Sequence, residues 1–260
     1  MDMENENSFP PPSEESSVGK PGLVEKIFKV FYQPSAVFGH LTGRLEWLIP
    51  IIIFVIFGST LGHFVKPIFV VEQSKIAIER LEQYRDQIPA ERYSQIVDDI
   101  EKGIEDAKDN KYVWYTPLIA FAFPLVLFLI ITVICLLTGN FIFGGKSSFW
   151  VVMNVVAYAA LIGLLGDTIR EILMLNKGSI NVFTGLGILK PIDDGSFMFY
   201  LFKQIDIFSI WRIITTAIGL GVIYKMKPNK FAYVLFSIWI IFIALVAFGN
   251  STFFMGGLIY

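Results

Sequence analysis

Five stretches of the chain are apolar over most of their length: residues 47–65, 115–138, 149–175, 205–224 and 231–248. Each supplies the roughly 20 mainly apolar residues that a helix needs to cross the hydrocarbon core of a bilayer. The first, second and fifth contain no charged residue at all. Ahead of them, LVEKIFKVFYQP (23–34) places Leu23, Val24, Ile27, Phe28 and Phe31 at helical spacing, with Glu25, Lys26 and Lys29 between them. That pattern predicts an amphipathic segment, 23–46, lying in the membrane interface. A soluble packing helix shares the same periodicity.

Between the first two apolar stretches lies a hydrophilic insertion, 66–113, with eight basic and eleven acidic residues. Val71, Ser74, Ile78, Leu81 and Ile88 recur at multiples of a helical turn, and so do Tyr93, Ile96, Val97, Ile100, Ile104 and Ala107. Ile88-Pro89 interrupts the series, and proline suits the first turn of a new helix. The expectation is an antiparallel helical hairpin standing off the membrane, its charges a solvated face. The fold class is therefore all-α: a polytopic bundle of five transmembrane helices with an extramembrane hairpin between the first and the second.

Composition agrees. The 260 residues are 54% hydrophobic and 17% charged, with mean hydropathy +0.61, whereas soluble domains carry about 25% charge. The opening MDMENENSFPPPSEESSVGKPG (1–22) is acidic, lacks an apolar core and reads as a disordered tail, not a cleaved secretory signal. Lysine and arginine mark cytoplasmic flanks: four precede the first span, three lie in KMKPNK between the last two, and none follows Gly249. The N-terminus is expected in the cytoplasm, with the hairpin and a short C-terminal tail, 249–260, outside.

Candidate chemistry is sparse. One cysteine, Cys135, excludes an internal disulfide, and two histidines, His40 and His63, leave little for a metal. GNFIFGGKSS (139–148) misses phosphate-loop spacing by one residue, because Asn140 stands where the first glycine is required. Gly144 and Gly145 are better read as a tight turn between spans. GLLGD (163–167) has the look of an intramembrane aspartyl protease, but no second aspartate is embedded to share its proton, and no HExxH occurs. A net charge of −2 without a basic face argues against nucleic acid. Neither an enzyme nor a cofactor is expected.

Charge within LLGDTIREILML (164–175) requires a reason in lipid. Counting from the ends of the third and fourth spans puts Asp167 and Arg212 at matching depth, so a cross-helix ion pair is expected, with Arg170 and Glu171 nearer the interface. Gly58 and Gly62 form a GxxxG pattern in the first span, and Gly219 softens the fourth. Such small surfaces allow close helix packing. Pro117 and Pro124 are expected to kink the second span.

The order FYQPSAVFGHL, FIFGGKSSF, AYAAL, IDIFSIWRIITTAIGLGVIYKMKPNKFA, spread over residues 23–248, resembles the Yip domain family, the membrane family of the Ypt/Rab-interacting proteins. The resemblance implies five spans, a cytoplasmic N-terminus and a non-enzymatic role. Eukaryotic members bind one another and prenylated small GTPases in vesicle traffic. The hydrophilic insertion is more like bacterial members. Membrane lipids and a protein partner, or a second copy of the chain, are the expected contacts. The leading expectation is an interaction scaffold in membrane organisation. A small permease or lipid-handling protein, using the cleft between the third and fourth spans, is the alternative.

Overall fold

The computed structural model describes residues 21–41, 43–109, 116–192 and 194–256. The expected acidic tail falls outside them, apart from Pro21 and Gly22. Among the described residues nine α-helices follow in order: α1 (Leu23–Tyr32), α2 (Pro34–Phe38), α3 (Leu48–Gln83), α4 (Ala90–Lys108), α5 (Thr116–Leu137), α6 (Phe149–Lys177), α7 (Phe197–Lys203), α8 (Ile207–Tyr224) and α9 (Pro228–Gly256). Five of them, α3, α5, α6, α8 and α9, are long and apolar enough to cross a membrane. Among the described residues no strand forms, and the one β-type pairing is an isolated bridge between Gly185 and Asp206. The protein is an all-α helical bundle.

The axis of the bundle is α6. Its apolar window is 72% buried, against 17% for those of α3 and α9, because α3, α5 and α8 pack around it while α9 lies outside against α8. Small residues explain why. Ala157, Ala159 and Ala160 are enclosed, and a Cβ on Gly166 would stand 2.6 Å from the Phe208 ring of α8. Gly219 packs the same pair of helices more deeply: its added Cβ would lie 2.5 Å from Val155 and 2.9 Å from Phe38. Close approach in lipid depends on such positions.

The hairpin is present, but it is not a separate unit. α3 runs unbroken for 36 residues, about 54 Å, so the expected first span and the first arm of the hairpin are one helix. Pro67 lies inside it at the apolar-to-polar boundary. There the proline removes one backbone donor from the ladder. A short 3-10 turn, Arg85–Gln87, and extended Ile88 then lead to Pro89, which precedes α4, in keeping with the restriction that proline places on the residue before it. Leu81, Ile88 and Ala107 close a small core between the arms.

Helix ends follow local chemistry. Gly178 takes φ +65° at the end of α6 and returns its N–H to Met174 O at 2.8 Å, a glycine-favoured stop. Asp206 caps α8, accepting from the Phe208 and Ser209 N–H groups at 2.8 and 3.0 Å. Pro124 is internal to α5. α9 continues through Gly249 to Gly256, because nothing there breaks it. Ser251 and Thr252 turn their hydroxyls back to Phe248 O within the helix.

The N-terminal segment is more deeply engaged than an interfacial helix. Val30, Val37, Phe38 and Leu41 are buried in the main core, and the Phe31 ring meets Trp211 of α8 edge-on at 5.9 Å. Leu23, Val24, Phe28 and Tyr32 remain exposed. One apolar side is spent on the bundle and the other is left for the interface.

Candidate functional site

Two polar groups punctuate the bundle, one at each end. At the end near the N-terminus, the Asn154 side chain of α6 is fully buried. It accepts from the Trp47 N–H at 2.9 Å and donates to Gly43 O at 2.7 Å. Glu46 sits beside it, accepting from the Gly43 N–H at 2.9 Å and pairing with Lys26 at 2.5 Å. Trp47 stacks on Trp150 with centroids 6.3 Å apart. These contacts satisfy the backbone that turns into α3, where the helix start would otherwise leave N–H groups unmet. Sequence reasoning passed over Asn154, although a lone amide within an apolar run was its visible signal.

At the same end lies the 139–148 turn between α5 and α6. Gly144 has φ +65°, and a Cβ on Gly145 would stand 2.5 Å from the Tyr224 ring. Asn140 clasps Ser147 through both N–H···O directions, at 3.1 and 3.2 Å, and accepts from the Tyr224 hydroxyl at 2.9 Å. The turn is a structural clasp joining α5, α6 and α8.

At the hairpin end, the structure gives Asp167 a nearer cation than the one expected. Arg170, one turn along the same helix, lies 3.4 Å from its carboxylate. Arg212 instead lays its guanidinium beside Gly163, 3.2 Å from where a Cβ would stand, and acts on Asp167 only through space. The missing side chain at Gly163, one turn before Asp167 on α6, offers Arg212 a seat there.

Among the described residues, nothing lies within 4 Å of an added Cβ at Gly58 or Gly62.

The segment between α6 and α8 folds over the hairpin end. Glu72 of α3 accepts from the Ser179 hydroxyl at 2.9 Å and the Ile180 N–H at 2.7 Å. Arg80 donates to the Tyr200 hydroxyl at 3.0 Å, and Gln204 donates to Ile243 O of α9 at 3.2 Å. Lys190 pairs with Asp194 at 2.7 Å, and this contact, with help from Ser196, holds the Asp194 carboxyl far below the usual carboxylate range. Beneath the fold lies a cavity of about 180 Å3, lined by residues that include Phe69, Arg170, Met174, Thr184 and Lys203. Among the described residues, no three His, Cys, Asp or Glu side chains converge to hold a metal ion.

These features define an integral membrane protein: five helices long and apolar enough to span a membrane, with α3, α5 and α8 packed on a central α6 and α9 on α8, and a braced arm beyond them. No family model, curated protein or solved structure matches the chain.

Proposed function

We propose that this is a non-enzymatic membrane interaction protein, a scaffold of the Yip domain type whose water-exposed arm receives a protein partner. One observation carries the reading. Glu72 and Arg80 fasten the arm to the segment after α6, so the outward face of α4 is held at a set angle to the bundle. A surface fixed in this way loses less freedom when a partner docks. The polar groups inside the spans support the same reading: Asn154 is tied to the turn into α3, and Asp167 is paired along its own helix with Arg170. The N-terminus is assigned to the cytoplasm from the distribution of lysine and arginine, with the arm and the C-terminus on the opposite side.

The test is site-specific photocrosslinking in native membranes from positions 101 and 105 on exposed α4, beside flux assays on the full chain in liposomes. A scaffold gives a crosslinked partner of one mass from α4, none from lipid-facing position 245, and no flux. Flux that Asp167→Asn abolishes would replace the scaffold with a permease.

A further inference from the structure

We propose that the cavity at the hairpin end of α6 binds a phosphate group, carried by a phospholipid headgroup or free in solution. The proposal does not depend on the scaffold reading. The first observation is an orphan: the Thr184 hydroxyl is buried and has no hydrogen-bond partner, and it lines the cavity. Buried hydroxyls are nearly always paired, so an unmet one in the wall of a hollow marks a place where an oxygen-bearing guest could be met.

The second observation is the charge around it. Arg170 and Lys203 reach the cavity from α6 and α7, two elements far apart in the chain. A guanidinium carries five N–H donors, and the Asp167 contact at 3.4 Å engages one edge. The single carboxylate on the lining, Asp206, is turned away from a guest. One oxygen accepts from two N–H groups at the start of α8, and the other accepts from the Ser209 hydroxyl at 2.6 Å. Two cations and a hydroxyl donor around a small hollow are the donor set that phosphate oxygens take.

The third observation is depth. Arg170 stands about 31 Å along α6 from Phe149, and a hydrocarbon core is about 30 Å thick. The cavity therefore opens at headgroup level. Apolar Phe69 and Met174 complete its wall, and Phe69 is half exposed, offering apolar surface to an acyl chain. The wall is also rigid. A Cβ on Gly185 would stand 2.1 Å from Ile205 O, so the loop lies directly on the chain entering α8.

The test uses the full chain in an uncharged detergent, with native mass spectrometry and thermal unfolding read in parallel. The probes are phosphatidylglycerol, diacylglycerol and inorganic phosphate. Wild type is expected to retain phosphatidylglycerol and gain Tm with it, and diacylglycerol does neither. Retention falls at least tenfold in the Arg170→Gln/Lys203→Gln double variant. Protection by phosphatidylglycerol but not by inorganic phosphate identifies a lipid guest, and protection by inorganic phosphate alone identifies a free one. Thr184→Val is the second variant: it weakens binding severalfold without lowering the unliganded Tm, because it removes a hydroxyl that had no partner. The proposal is overturned if neither phosphate probe binds, or if diacylglycerol matches phosphatidylglycerol. It also fails if the double variant binds like wild type. Should the double variant not fold, unchanged affinity in Thr184→Val overturns it.

Discussion

One oxygen of Glu72 accepts from the Ile180 backbone N–H at 2.7 Å, joining the water-exposed part of α3 to the chain just beyond α6. The same oxygen takes the Ser179 hydroxyl. Hydrogen bonds to a charged group contribute about 1.5–3 kcal/mol each, and partial exposure places this pair at the low end. Glu72→Ala is expected to cut stability by about 2 kcal/mol and to open residues 178–182 to protease. Unchanged cleavage and Tm in detergent would show that the brace holds nothing.

Asn154 is the more costly residue to lose. Its amide serves one N–H and one C=O of the turn into α3, and water does not reach the fully buried site. Asn154→Ala leaves both groups unmet, at about 1–3 kcal/mol each. Detergent-solubilised protein should unfold at a clearly lower temperature. Asn154→Asp should do no better, since a carboxylate accepts from Trp47 but cannot donate to Gly43.

Glycines in the spans divide into two kinds. Gly219→Ala drives a Cβ into Val155 and Phe38, and overpacking of that sort costs about 1–3 kcal/mol. Gly58→Ala and Gly62→Ala meet nothing within 4 Å and gain about 1 kcal/mol of helix propensity each. The first is expected to lower Tm and the other two to leave it level or raise it. Loss of stability in Gly58→Ala, together with a shift to smaller particles in size-exclusion light scattering, would instead assign that face to a second copy of the chain.

At the tip of the hairpin, Tyr93 donates to Glu82, and the Arg85 side chain pairs with the same carboxylate at 3.1 Å. These contacts hold the Glu82 carboxyl below its usual range and push the Tyr93 phenol above its own. The contribution of Glu82 to stability is whole above about pH 4.3 and is lost as pH falls through the lower folded-state value. Amide exchange around residues 84–93 should therefore quicken in acid. The Tyr93 absorbance step should come above pH ~10. In Glu82→Gln the acid response is expected to vanish and the phenol to titrate earlier. An unchanged acid profile in that variant would assign the response to another group.

Much of the architecture could be read from side-chain polarity alone. Runs without charge located α3, α5 and α9, and the Ile88-Pro89 break located the turn between the hairpin arms, because lipid and water sort side chains by polarity before any packing is considered. What polarity does not encode is register between helices. Asp167 and Arg212 were matched in depth by counting residues, yet which cation reaches the carboxylate depends on the gap at Gly163, and that gap is a property of two helices together. Asn154 and Glu72 escaped for the same reason. Their partners are backbone groups more than a hundred residues away, and every residue type has the same backbone. The burial of α1 and α2 in the core was hidden too, since an amphipathic stripe looks alike whether it faces lipid or a neighbouring helix.

The unjointed length of α3 has a mechanical consequence. A rod whose lower half is gripped by hydrocarbon and whose upper half stands in water turns a change of tilt below into a sideways sweep at its tip. Glu72 and Arg80 tie that rod at two heights to the segment beyond α6, so the arm leans with the bundle. A thinner or thicker bilayer, which obliges spans to lean differently, is thereby converted into a new position for α4 relative to the membrane plane.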